Sequence, residues 1–154
     1  MKVLVFHIGA QRYGLPLAAI SSVLPAAALT GVPLTPPYVA GLLDLHGTPV
    51  PVIDLEQLAT KVPAALRFDT RIVIVDYVVG AGAADGDVRP LGLLAERVQG
   101  IEDVAATALA DNGVRGAPFL GQVATGAGSM LQLVEVDHLL SAEVRALLFP
   151  AGQA

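Results

Sequence analysis

Short apolar runs closed off by Gly, Pro or Asp recur from one end of this chain to the other, and that spacing favours strands over helices. The clearest runs cover residues 3–8, 12–17, 42–45, 48–53, 71–77, 90–95, 120–124 and 130–135, rich in Val, Ile and Leu. Gly9, Ala10 and Gln11 make a tight link between the first two, glycine supplying backbone angles that side chains resist. Between Tyr77 and Arg89 lie Gly80, Gly82, Asp85, Gly86 and Asp87, which read as a longer, exposed hairpin loop. Helix is expected chiefly over residues 136–149, where Val136, Leu139, Leu140, Val144, Leu147 and Leu148 fall at helical spacing and Ser141 can cap a turn. The expected class is all-β with minor α.

The same unit is also written twice. Tyr13-Gly14-Leu15 is followed by Ile20 and Val23, and Leu91-Gly92-Leu93 by Val98 and Ile101, so branched residues stand six and nine positions after each glycine. Residues 50–58 lie against 131–139, apolar to apolar and acid to acid, with Leu58 against Leu139. A unit used twice predicts two curled sheets of about five strands, each closed into a barrel that hides its edges.

Composition narrows the function. With 54% hydrophobic and only 15% charged residues, and a mean hydropathy of +0.65, one core leaves apolar surface over for partners. The uncharged stretch 13–43 is long enough to cross a bilayer, but Pro16, Pro25, Pro33, Pro36 and Pro37 would break its helix, so no membrane insertion is expected. The N-terminal apolar run is too short for a secretory signal, and the absence of cysteine fits the cytoplasm. Nine basic residues, scattered singly in a chain of net charge −5, do not make a phosphate-binding patch, so no nucleic acid is expected.

Catalytic chemistry has no obvious carrier. His7, His46 and His138 have no metal-ligand spacing, and Ser21, Ser22, Ser129 and Ser141 lack the frame of a serine nucleophile. Residues 121–128 have glycines at 121 and 126, but Ala127 stands where a phosphate loop needs lysine, so a hairpin is the better reading. Gly80-x-Gly82 lacks the third glycine of a dinucleotide fingerprint, and the pairs Asp85 with Asp87 and Glu102 with Asp103 read as solvated loop charge. No catalytic residue, metal or cofactor is therefore expected. Residues 41–55 stand out instead: a strand, a tight turn at His46-Gly47, then a strand whose Pro49 and Pro51 suit an edge where a partner could dock.

At that segment the chain resembles the CheW family of chemotaxis coupling proteins, whose signature reads roughly G-V-I-N-L-R-G-x-V-x-P-V-I-D-L. Phe6-x-Ile8-Gly9 with Tyr13-Gly14-Leu15, Arg71-Ile72-Val73-Ile74-Val75, Leu91-Gly92-Leu93-Leu94 with Val98, and Met130-Leu131-Gln132-Leu133 with Leu139-Leu140 follow in family order, covering residues 3–148. The resemblance implies two SH3-like five-stranded barrels on a shared core plus a C-terminal helix. They would form one domain over residues 1–150, with halves at about 12–67 and 70–135 that exchange strands at their ends.

It also implies a non-enzymatic adaptor between the regulatory domain of a CheA-type histidine kinase and the cytoplasmic hairpin tip of a methyl-accepting chemoreceptor. By position, Ile20, Ser22, Leu45, His46, Gly47 and Val98 would line the receptor groove; kinase contacts stay unassigned. The family commonly has Glu at the Ser22 position, Arg at His46 and Asn at Asp44. Loss of the Glu and Arg together leaves a neutral site rather than an unpaired charge, so this is a retuned surface. Arg12-Tyr13-Gly14-Leu15 and the ending 144–150 are similar to coupling proteins of the Wsp type, which implies a surface-sensing pathway linked to cyclic di-GMP. The rival readings are a small barrel that binds a ligand or catalyses a reaction in an apolar pocket, and a purely structural module.

Overall fold

A computed structural model of the chain describes residues 1–79, 87–105, 109–111, 120–124 and 130–150. Ten strands run β1 (Lys2–Ile8), β2 (Gln11–Pro16), β3 (Ile20–Pro25), β4 (Val39–Leu45), β5 (Thr48–Asp54), β6 (Arg71–Val78), β7 (Val88–Asp103), β8 (Leu109–Asp111), β9 (Leu120–Ala124) and β10 (Leu131–Val134). Two short helices, α1 (Leu55–Thr60) and α2 (Ala142–Leu148), follow β5 and β10, the latter after a 3-10 turn at Val136–His138.

All eight expected runs form strand, but β3, β8 and α1 were not expected, and β7 is far longer than residues 90–95. Glu102 and Asp103, read as loop charge, are instead the end of β7, opposite Val3 and Lys2. There Glu102 pairs with Arg12, and Asp103 with the N-terminal ammonium at 3.4 Å. The single helix expected over 136–149 is broken before Ser141, whose hydroxyl accepts from the N–H of Val144 at 3.3 Å and starts α2. Most of the loop expected between Tyr77 and Arg89, and residues 125–128 of the expected hairpin, lie outside the described residues.

The strands make two curled sheets, in the orders β7-β1-β2-β10-β9-β8 and β4-β5-β7-β6-β3, with β7 running through both. Together they form two SH3-like barrels. The written repeat reappears in the pairing: Gly14 lies opposite Leu133 in the parallel β2–β10 ladder, and Gly92 opposite Val52 in the parallel β7–β5 ladder. Val52 and Leu133 are themselves equivalent positions of the repeat, so the two units use one register. A Cβ at Gly14 would meet Leu131, Leu133 and Val3 at 3.3 Å, and one at Gly92 would meet Val52 at 2.8 Å, so glycine is what lets each ladder close over its interior.

The repeats do not each build their own barrel. Hairpin β1–β2 joins β8, β9, β10 and the end of β7, whereas β6 and the start of β7 join β3, β4 and β5. A division near residues 67–70 therefore separates repeats but not barrels, because each repeat lends its first hairpin to the other.

Alternation along the exchanged strands gives three cores. Val3 and Val5 point into the first barrel with Leu131 and Leu133, and Ile72 and Ile74 into the second with Val50 and Val52. Leu4, Phe6 and Ile8, together with Val73, Val75 and Tyr77, face the seam between barrels, where they form a shared core. Burial on both faces is why these strands read as unbroken apolar runs. α2 covers the seam through Val144, and Phe149 just beyond it stacks on Tyr77 with centroids 5.6 Å apart. Leu147, expected on the apolar face, is exposed instead.

Candidate interaction surface

The β4–β5 hairpin ends in a two-residue turn. His46 and Gly47 both have positive φ, at 52° and 89°, the pattern of a mirror-image turn whose twist suits a hairpin. Asp44 stabilises it, its Oδ1 accepting from the N–H of Gly47 at 2.8 Å, a bond that the amide oxygen of Asn could equally accept. His46 and Gly47 are exposed, while Leu45 leans on the interior core of the second barrel.

Ile20 opens β3 on the margin of the shared core. A bulge follows it: Ile20 faces Val75 and Ser22 faces Ile74, leaving Ser21 as the extra residue. The Ser21 hydroxyl donates to the carbonyl of Ile74 at 3.2 Å, and Ser22 stays half-buried between Ile20 and Leu24 in the burial pattern of the strand.

Val98, the equivalent of Ile20 in the second repeat, also packs on the margin of the shared core. It sits where β7 leaves one sheet for the other, between Arg97 at φ 48° and Gly100 at φ 119°. Its N–H donates to the carbonyl of Asp69 at 3.1 Å, and the Arg97 carbonyl lies 3.2 Å from Nδ1 of His7. The six expected site residues thus fall into two groups: Ile20 and Val98 along the seam with Ser22 beside Ile20, and the turn of Leu45, His46 and Gly47.

Sequence reasoning missed the residues beside Val98. Glu96, just before the kink, is buried; Glu56 of α1 accepts from the N–H of Gly9 at 2.9 Å and from the hydroxyl of Thr60 at 3.0 Å. Burial raises the pKa of the Glu96 carboxyl, and a hydrogen bond to Glu56 and the charge of Glu56 raise it further, against a backbone bond from Ala65 and the charge of Arg97. The signal for α1 was present, since Asp54 followed three residues later by Gln57 is a capping pattern, and Asp54 Oδ1 does accept from the Gln57 N–H at 3.1 Å.

Depressions mark the surface among the described residues. One of about 420 Å³ lies among Leu42, Pro49, Pro51, Pro90, Leu147 and Phe149, and one of about 370 Å³ has Asp76, Glu135, Asp137 and His138 on its wall. Among the described residues no cluster of His, Asp and Glu could hold a metal ion, and no helix is long and apolar enough to cross a membrane.

Two intertwined barrels packed on a shared core between them, with an ordered turn and a seam of half-buried apolar side chains at the surface, define a two-barrel module. The chain belongs to the CheW-like family: the model of the CheW-like domain matches residues 2–144. It is 29% identical over 150 residues to the chemotaxis protein CheW of Klebsiella aerogenes, covering 96% of this chain and 86% of that one. It is 35% identical over 81 residues to protein FrzA of Myxococcus xanthus, about half of each chain at 51%. Among solved structures, the scaffolding protein TtCheW from Thermoanaerobacter tengcongensis superposes with a TM-score of 0.79 at 23% identity, covering 93% of this chain and 89% of that one. Proteins of this family are scaffolds of chemotaxis signalling, and the chain is such a scaffold rather than an enzyme.

Proposed function

We propose that the chain works in the cytoplasm as the bridge between the regulatory domain of a CheA-type histidine kinase and the cytoplasmic hairpin tip of a methyl-accepting chemoreceptor. Ile20, Ser22, Leu45, His46, Gly47 and Val98 form its receptor face. The observation that carries this reading is the placement of Ile20 and Val98. They are equivalent residues of two repeats, both half-buried on the margin of one shared core, so the seam offers apolar side chains from both barrels to a single helical partner.

The receptor is a divergent one. Ser22 and His46 stand where the family commonly pairs Glu with Arg, which leaves the face without that charge pair and tunes it away from a standard receptor. The similarity of residues 12–15 and 144–150 to Wsp-type coupling proteins supports a surface-sensing array whose kinase output drives cyclic di-GMP synthesis.

Titration of the purified chain with a kinase regulatory domain and a receptor hairpin from its own array tests the bridge. Both should bind at once, and Ile20→Asp should weaken the hairpin alone by at least tenfold. Failure to bind either partner would overturn the bridge. A standard chemotaxis hairpin should bind poorly and gain affinity with Ser22→Glu combined with His46→Arg; tight binding by the unaltered chain would end the claim of divergence.

A further inference from the structure

Asp54, Thr70 and Glu96 are the buried polar or charged side chains among the described residues. All three bond to one surface segment, the loop between α1 and β6. Asp54 Oδ2 accepts from the N–H of Ala64 at 3.0 Å. The Thr70 hydroxyl, on a residue 1% exposed, donates to the carbonyl of Ala65 at 2.7 Å and accepts from the N–H of Arg67 at 3.0 Å. Glu96 takes a backbone bond from Ala65. The loop is also tied at its far end, where the Asp69 carbonyl accepts from Val98 and Arg71 donates to the carbonyls of Phe68 and Thr70.

Buried polar groups are costly unless paired, so the bonds that these three make to the loop's backbone help to fix its shape. Yet the loop holds its apolar side chains outward: Phe68 is 91% exposed, Leu66 72% and Val62 59%. With its backbone bonded on the inner side, the segment cannot turn these side chains back onto the body. Lys61 and Arg67, both exposed, stand among them, in a chain whose net charge is −5. With the backbone beneath it tied, Phe68 is presented for a contact with less ordering entropy left to lose on binding.

We propose that the loop of residues 61–71 is a preformed docking surface for a helical protein segment whose apolar stripe is flanked by carboxylates, Phe68 and Leu66 meeting the stripe and Lys61 and Arg67 the acids. The Asp69 carbonyl accepts from the N–H of Val98, which ties this loop to the seam at that residue. Resting on the function proposed above, the segment is therefore the flank of the receptor hairpin that lies along the seam. An anionic lipid surface is the weaker fit, since two exposed cations stand against the net negative charge of the whole chain.

The test titrates the full chain with the purified receptor hairpin, comparing wild type, Leu66→Ser with Phe68→Ser, and Lys61→Glu with Arg67→Glu. Circular dichroism checks that each is folded. The apolar variant should bind the hairpin at least tenfold more weakly. The charge-reversed variant should be several-fold weaker at low salt, with the difference shrinking as salt rises. Wild-type affinity in both folded variants would overturn this proposal and leave the receptor bridge standing, whereas a wild-type chain that ignores the hairpin would overturn both. The loop is also misassigned if the substitutions spare hairpin binding but abolish binding to phosphatidylserine vesicles, or dissociate a self-associated form in sedimentation.

Discussion

Glu96 of β7 is buried beside Glu56 of α1, and burial together with the hydrogen bonding and charge of Glu56 raises the pKa of the Glu96 carboxyl. Glu56 in turn accepts from the N–H of Gly9 and from the hydroxyl of Thr60. Around the pair stand Arg97, next in the chain, His7, opposite Glu96 in the β1–β7 register, and Tyr13, whose hydroxyl feels the Glu56 charge. The contact ties α1, β1 and β7 together at the kink where the barrels exchange strands.

Because burial and Glu56 hold the Glu96 carboxyl above its ordinary range, its linkage to stability has a definite sign. Its contribution is fully present below the unfolded value of about 4.3 and is lost as pH rises through the folded value. Glu96→Gln keeps a donor and removes the titration. Urea midpoints measured from acid to neutral pH should therefore fall less steeply in this variant than in wild type, and equal slopes would overturn the raised pKa of Glu96.

Thr70→Val keeps the shape of the side chain but leaves the Ala65 carbonyl and the Arg67 N–H without their hydroxyl partner. The expected loss is about 1–3 kcal/mol, read as a lower urea midpoint at unchanged m. A loss near zero would mean that water replaces the hydroxyl and the loop is less firmly held than described.

Gly41 has φ 144°, and a Cβ there would come within 2.6 Å of the carbonyl oxygen of Thr30. That oxygen accepts from the N–H of Leu42 at 2.8 Å in the bridge that ties the β3–β4 connection to β4. Gly41→Ala should cost about 2–4 kcal/mol through strain and the displaced bridge. Gly31→Ala, with open space around it, should be close to neutral in the same denaturation series.

Ser141→Ala removes the cap of α2 and should lower stability by about 1 kcal/mol. Since α2 covers the seam, native-state hydrogen exchange should quicken at Val144 and Arg145 before it does in β1 or β6.

What could be read from the residues was local. The runs 3–8 and 71–77 are apolar at consecutive positions because both faces of β1 and β6 are buried, and that demand is written directly into the side chains. β3 escaped notice because its two serines and its bulge break the alternation, and α1 because six residues give too short a helical period. The far half of β7 carries Glu96, Arg97, Gln99, Glu102 and Asp103, a polar run that forms strand only because β1 of the other repeat supplies its hydrogen bonds.

The amino-acid sequence by itself determined the repeat, down to the equivalence of Gly14 with Gly92 and of Val52 with Leu133, since each glycine must pass close to a neighbouring strand. Which hairpin completes which barrel was decided only in three dimensions. An alternating pattern fixes the face a side chain takes but not the distant strand it pairs with. The same holds for Leu66 and Phe68: apolar in composition, they stay outside because Asp54 at the end of β5, Thr70 just before β6 and Glu96 of β7 bond the backbone of their loop.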